Sequence, residues 1–235
     1  MTPRLSQNAV GVAVLDLAAG RQVPILDGRA LDAMDDALDS LERRGARAVV
    51  VTGGSTGTFA AGADLAELSA LDAMTAFRFA ARGQALLDRM EAAPFVLIAA
   101  IRGRCLGGAF DLVMACDLRL SDSGAVFSHP GPRLGFITGY GGSSRLPLLA
   151  GRASVDVLMG GRTLDAGEAL ALGLLAEVTE PDRLEDRAMG LARSMGDVAA
   201  ARIVLVKEAL RRLSGSTSRR RLERRLSRLH AMAEA

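Results

Sequence analysis

An α/β architecture is what the sequence predicts, and three observations lead to it. Residues 46–52, apolar apart from Arg47 and Thr52, and the fully apolar 95–101 carry β-branched side chains, the pattern of strands covered on both faces. Each is followed by a glycine-containing loop and then by helical periodicity, the alternation of α/β proteins. From about Pro181 onward the strand signals stop and the chain reads as helices alone. That shift separates a core over residues 1–180 from a helical module over 181–235.

In chain order, residues 10–15 and 23–26 read as two short strands. Asp27 suits a helix N-cap, and Leu31, Met34, Leu38 and Leu41 fall on one face of a helix over 28–43 that Gly45 closes. After the 46–52 strand comes the loop Gly53-Gly54-Ser55-Thr56-Gly57-Thr58. A short helix starts near Asp64, and a longer one over 71–92 ends before Pro94. The 95–101 strand leads into a glycine-rich turn over 103–108 and a helix from Ala109 to Met114. Residues 117–120 and 125–128 read as short strands. Helices follow over 142–150, 154–159, 165–171, 181–195 and 199–213, with a strand at 175–178.

The core has to be aliphatic. Hydrophobic residues make up 49% of the 235 residues and charged residues 24%, a globular balance, but aromatics are only 3% and Trp is absent. So few rings leave little to stack on nucleic-acid bases, which argues against a nucleic-acid partner. Formal net charge is +2. Between 211 and 228, however, Arg211, Arg212, Arg219, Arg220, Arg221, Arg224, Arg225 and Arg228 stand against Glu223 alone. This run reads first as a solvated helix face, and second as a patch for acidic groups of a partner subunit or a phosphorylated ligand. Cys105 and Cys116 lie in apolar surroundings without metal-ligand spacing and read as buried free thiols, with no metal site expected. Residues 1–8 lack a signal-peptide core, and no apolar run reaches the roughly 18 residues of a membrane span, so the expectation is a cytoplasmic protein without a membrane partner.

Two strand-to-helix turns carry the functional signal: Phe59-Ala60-Ala61-Gly62-Ala63-Asp64-Leu65 and Gly103-Arg104-Cys105-Leu106-Gly107-Gly108-Ala109. Small residues let backbone approach a ligand closely, and amides at a helix start have no carbonyl partner within the helix. Two such amides converging on one carbonyl oxygen make an oxyanion hole. Glycine turns after strands are common in α/β proteins, so either loop alone is also read as plain structure. Other glycine-loop chemistries are absent: there is no phosphate-binding G-x-x-x-x-G-K-[ST], no dinucleotide G-x-G-x-x-G after the first strand and no G-x-S-x-G elbow.

Together the two loops resemble paired signatures of the enoyl-CoA hydratase/isomerase (crotonase) superfamily. The first is F-x-A-G-x-D-L at Phe59 to Leu65. The second is G-x-x-x-G-G-x-x-x-L-x-x-x-C-D at Gly103 to Asp117. A third block, Phe127-Ser128-His129-Pro130-Gly131-Pro132-Arg133-Leu134-Gly135 leading to Gly139-Tyr140-Gly141-Gly142-Ser143-Ser144-Arg145-Leu146-Pro147, is similar to that family too. So is the segment from Gly161-Arg162 through Ala166, Glu168, Ala169, Gly173 and Leu174. The likeness runs in order over about 8–215. It implies a spiral of ββα units, a helical C-terminal trimerisation module, a homotrimer or hexamer, and an acyl-CoA thioester as substrate. No separate cofactor is implied, since coenzyme A belongs to the substrate. Family members commonly continue past a helix like that expected over 222–233, so an early end would alter how the acyl pocket closes.

By position, the resemblance makes the amides of Ala63 and Gly108 the oxyanion donors and Asp111 the catalytic carboxylate. Ala61, Asp64, Leu65, Gly107, Gly131 and Tyr140 become the substrate-facing set. Asp111 also reads as a favourable charge at a helix start, and Asp64 and Asp117 as caps. The family's hydratases carry two glutamates; Asp111 stands at the first position and Gly131, with no side chain, at the second. Hydration through Asp111 alone, isomerisation and decarboxylation are the expected chemistries. Gly131-Pro132 and Tyr140-Gly141 further resemble the dihydroxynaphthoyl-CoA synthase branch, where a glycine leaves room for a bicarbonate acting as base, although that branch has an aspartate where Thr138 stands here. His129 is read as a histidine bonded under the loop or as a substitute base. Tyr140 is read as pocket wall or hydroxyl donor, and Lys207 as a basic group near CoA phosphates or a solvated lysine. A catalytically impaired acyl-CoA-binding subunit and an RNA-associated protein are the alternative functions.

Overall fold

The computed structural model describes residues 3–7, 11–18, 23–53 and 57–213. Val10, residues 54–56, the Arg219 to Arg228 part of the basic run, His230 and the helix expected over 222–233 lie outside the described residues. In chain order the elements are β1 (Arg4–Gln7), β2 (Val12–Asp16), α1 (Gly28–Arg43), β3 (Ala48–Thr52), β4 (Thr58–Ala60), α2 (Leu65–Ser69), α3 (Ala73–Ala92), β5 (Val96–Ile101), β6 (Arg104–Leu106), α4 (Gly108–Met114), β7 (Leu118–Asp122), β8 (Val126–Ser128), a 3₁₀ turn (Gly131–Leu134), α5 (Gly142–Ala150), α6 (Ala153–Leu158), β9 (Thr163–Asp165), α7 (Ala166–Ala171), β10 (Glu177–Thr179), α8 (Leu184–Gly196) and α9 (Ala200–Leu213).

The expected spiral is what the chain forms. β3, β5 and β7 enter a sheet ordered β1-β2-β3-β5-β7-β10, and the strand after each of them, β4, β6 and β8, enters a second sheet ordered β4-β6-β8-β9. Each strand pair then runs into helix: α2 and α3 after β4, α4 after β6, α5 after β8. In the larger sheet β2, β3, β5, β7 and β10 are parallel and only the edge strand β1 is antiparallel. Because successive turns stack in register, the loops after β4, β6 and β8 emerge side by side.

Why the central strands look apolar throughout is clear from what covers them. All of β3 is buried. Val49 and Val51 face the larger core with α1, α3 and the second sheet, while Ala48 and Val50 face a smaller cluster with Leu184, Ala188 and Ala192 of α8. α8, in the purely helical stretch, thus closes the outer face of the main sheet. Capping is equally legible: Asp27 Oδ1 accepts the Ala30 amide at 2.7 Å, and Leu31, Met34, Leu38 and Leu41 are buried as the periodicity requires. No described helix is long and apolar enough to cross a membrane. Both cysteines are buried and free.

Two expectations need correction. Residues 23–26 are not a strand. Pro24 has no N–H to give a ladder, and the segment instead straps the first glycine loop, its Pro24 carbonyl accepting the Ala61 amide at 2.9 Å and its Leu26 amide donating to Gly62 at 2.7 Å. The antiparallel partner of β2 is β1, which lies upstream. The supposed turn over 103–108 contains β6, and β4 and β9 add two more three-residue strands, too short to show alternation.

Candidate active site

The three adjacent loops enclose a cavity of about 150 Å³. Of the substrate-facing and catalytic residues expected from sequence, Ala61, Ala63, Leu65, Gly107, Gly108, Asp111, Gly131 and Tyr140 line it. Asp64 does not. Its Oδ1 accepts the Ala66 amide at 2.8 Å and the Glu67 amide at 3.4 Å, so it caps α2 at the rim.

Both glycine loops owe their shape to backbone that only glycine adopts easily. Gly62 has φ 85° and Gly107 φ 54° with ψ −124°. They are also pressed together: a Cβ placed on Gly62 would stand 2.6 Å from the Leu106 carbonyl oxygen and 2.9 Å from the Gly108 nitrogen. The Gly107 amide is spent on the Ser128 carbonyl at 2.8 Å, and the Gly107 carbonyl accepts from Phe110 and Asp111. Gly108, the first residue of α4, has no helical acceptor for its own N–H, and neither it nor the Ala63 N–H donates to a backbone carbonyl among the described residues.

One helical turn beyond Gly108, Asp111 is completely buried. Its Oδ2 accepts the Thr138 hydroxyl, and the Thr138 oxygen in turn accepts the Gly142 amide at 3.2 Å. Asp111 Oδ1 lies 2.9 Å from His129 Nε2, both side chains being under 5% exposed. The two atoms are close but poorly aligned, so neither completes a hydrogen bond. The His129 ring stacks on Phe110 with centroids 5.3 Å apart at 27°. Gly142 is bare where these groups meet: a Cβ there would stand 2.1 Å from Asp111 Oδ1, 2.9 Å from Thr138 Oγ1 and 3.0 Å from His129 Nε2.

A family model described as enoyl-CoA hydratase/isomerase matches residues 7–234. This chain belongs to the enoyl-CoA hydratase/isomerase family. It is 31% identical over 203 residues to a short-chain-enoyl-CoA hydratase of Clostridium acetobutylicum and 34% identical over 202 residues to a probable enoyl-CoA hydratase of Rhizobium meliloti, each match covering 86% of this chain and 78% of the relative. Among solved structures, an enoyl-CoA hydratase from Bacillus anthracis superposes with a TM-score of 0.84 at 26% identity, covering 98% of this chain and 92% of that one.

Within this enoyl-CoA hydratase/isomerase family member, Tyr140 is a wall rather than a free donor. Its ring lies against the bare Cα atoms of Gly83 and Gly108, where a Cβ would meet it at 2.1 and 2.7 Å, and beside Phe79 at 5.6 Å. Its hydroxyl donates to the Leu26 carbonyl at 3.2 Å. Burial raises the pKa of that hydroxyl, with Glu67 and Asp111 adding to the effect, so it stays protonated. The turn that carries Thr138, Tyr140 and Gly142 is tied to α3 by Gln84 Nε2 on the Gly139 carbonyl at 2.8 Å. Arg145 adds bonds to the Tyr140 carbonyl, Asp88 and Glu91 at 2.8–2.9 Å.

Gly131 opens the 3₁₀ turn and lines the cavity with backbone only; a Cβ there would press to 2.9 Å from the Phe136 carbonyl oxygen. Lys207 is nowhere near a phosphate-binding role. Its Nζ is buried and donates to the Met90 and Phe95 carbonyls at 3.4 and 3.0 Å and to Asp117 Oδ2 at 2.8 Å. Sequence reasoning assigned no part in the site to Gly142, Gly83 or Thr138. The glycine run around Tyr140 was the available signal, but only coordinates show which side chains need that space. Among the described residues no group of three His, Cys, Asp or Glu side chains is placed to hold a metal ion.

Proposed function

We propose that the protein is an acyl-CoA enzyme in which the amides of Ala63 and Gly108 hold the thioester oxygen as charge builds on it, while an acid/base group built on Asp111 moves a proton at the adjoining carbon. The observation that carries this reading is that Ala63, Gly108 and Asp111 line one cavity, with neither the Ala63 nor the Gly108 N–H donating to a backbone carbonyl among the described residues. Preorganised donors in a site that excludes water are a large catalytic contribution, because they need no reorganisation as the oxyanion forms. Ala61, Leu65, Gly107, Gly131 and Tyr140 contact the thioester and acyl chain, and Asp64 contributes by fixing the rim through α2. A cavity of about 150 Å³ walled by Phe79 and Tyr140 suits a short acyl group.

Hydration of a short 2-enoyl-CoA is the first reaction to test, with isomerisation and decarboxylation requiring the same enolate. Gly131 supplies no second carboxylate, so a bicarbonate seated beside it is the candidate second base; adding and removing bicarbonate during the assay checks this, and an unchanged rate eliminates it. The reading needs no resident cofactor. The exposed Leu205, Val206 and Leu210 of α9 support a homotrimer or hexamer assembled through the helical C-terminal module, and the working compartment is the cytoplasm. Calorimetric titration with crotonyl-CoA, coupled to product analysis, tests the proposal. Affinity in the range of about 1 μM to 1 mM with turnover is expected; no affinity for CoA thioesters overturns it.

A further inference from the structure

Both oxygens of Asp111 face protein groups. The Thr138 hydroxyl is committed to Oδ2, because its own oxygen already accepts the Gly142 amide, and Oδ1 faces His129 Nε2. A carboxylate enclosed in this way, 1% exposed, reaches a bound substrate through its partner. We propose that His129 is the catalytic residue that exchanges the proton with the substrate, through Nδ1, and that Asp111 is the positioning residue that holds the ring and balances its positive charge. The inference rests on the acyl-CoA reading and assigns the proton-carrying atom within it.

Three features support the assignment. His129 lines the same cavity as Ala63 and Gly108. Its ring is held on two sides, by the face of Phe110 and by Asp111, which leaves Nδ1 as the nitrogen not facing the carboxylate. The contact between Nε2 and Oδ1 is a close polar contact with incomplete hydrogen bonding, the condition in which buried polar groups call for an explanation beyond scaffold. Other groups near the pair do not compete. Arg133 lies on the backbone side, against Gly161 and the His129 carbonyl, and the Cys105 thiol near Asp111 is kept protonated by burial.

In the step itself the C–H bond at the α-carbon breaks and its electron pair becomes the C=C of the enolate. The carbonyl π pair moves to the oxygen held by the two amides, and the proton goes to Nδ1. The resulting imidazolium is paired with the Asp111 carboxylate. Return of the proton to carbon restores the neutral ring, with nothing oxidised or reduced.

The test is deuterium incorporation at the α-carbon of butanoyl-CoA by the full chain in D₂O, with binding followed separately by calorimetry. His129→Gln is expected to lower exchange about a hundredfold or more while keeping affinity within a few-fold. In His129→Ala, free imidazole is expected to restore part of the rate, and a structural role would give no such rescue. Asp111→Asn is expected to slow exchange while keeping butanoyl-CoA affinity within a few-fold, because the ring loses the carboxylate that holds it and pairs with the imidazolium. Wild-type exchange by His129→Gln, or Asp111→Asn abolishing exchange with no imidazole rescue of His129→Ala, would overturn the assignment and leave the acyl-CoA reading intact. A wild-type protein that neither binds butanoyl-CoA nor exchanges its proton would overturn both.

Discussion

Two carboxylates flank α4 and meet opposite treatment. Asp111, in its first turn, is wholly buried beside the cavity with one oxygen bonded to Thr138 and the other close to His129 without a completed bond. Asp117, just past its end, has Oδ2 accepting the Leu97 amide and the Lys207 ammonium, each at 2.8 Å, while Lys207 is further saturated by two carbonyls. Burial lifts the pKa of Asp117, and Lys207 and the Leu97 amide pull it back down. An ion pair whose ammonium is saturated in this way ties α9 to the ends of α3 and β5 and holds secondary structure in place. A polar pair with incomplete bonding, set against a cavity, still has capacity to act. The two differ in burial, 1% against 24% of the side chain exposed, and in their hydrogen bonding.

The comparison is broken most severely at the cavity end. Asp111→Asn should reduce turnover of a short enoyl-CoA by about a hundredfold or more, with the far-UV circular dichroism of the folded protein retained. Gly142→Ala should approach the same loss without removing any polar group, because the new methyl would displace Asp111, Thr138 and His129 together. At the other end Lys207→Met should leave turnover by the folded protein near wild type but cost about 3 kcal/mol in denaturant titration, since Asp117 is left without its counter-ion. The sign of its pH dependence follows. A carboxyl whose folded pKa is raised binds its proton more tightly in the folded state. Its favourable contribution is therefore present below the ordinary value of 3.8 and is lost as pH rises through the raised one. Lys207→Met raises that value further, so its destabilisation should be larger at neutral pH than in mild acid. The smallest effect is expected at Tyr140→Phe, which removes one hydrogen bond to Leu26 and should cost about 1 kcal/mol while leaving the ring in place.

Cys116 sharpens the same contrast from the scaffold side. Burial pushes its thiol up to about 12. At pH 8 roughly one thiol in ten thousand is then ionised, so alkylation of the native protein should be negligible and should appear only on unfolding.

Much of this was legible because local chemistry and global packing agree. The helix over 28–43 announced itself through the Asp27 cap and its apolar stripe, and β3 through the apolar run Ala48 to Val51 that two core clusters explain. The donor loops were legible because their glycines are required by positive φ and by close backbone approach. What periodicity could not reveal was pairing at a distance. The three-residue strands of the second sheet are held by neighbours, not by pattern. Lys207 looked like any helix-surface lysine until the Met90 and Phe95 carbonyls and Asp117 were seen around it. His129 and Asp111 lie on different elements, and only the fold puts them in contact.

At Gly62 and Gly108, main chain rests directly on main chain with no side chain between. On the proposed reading, the spacing of the Ala63 and Gly108 amides is therefore inherited from backbone geometry. On that reading, substitutions at positions such as 111, 129 or 131 redirect what happens to a bound thioester without loosening the grip on its oxygen. A fold arranged in this way can change its reaction by exchanging a few side chains above a fixed anchor.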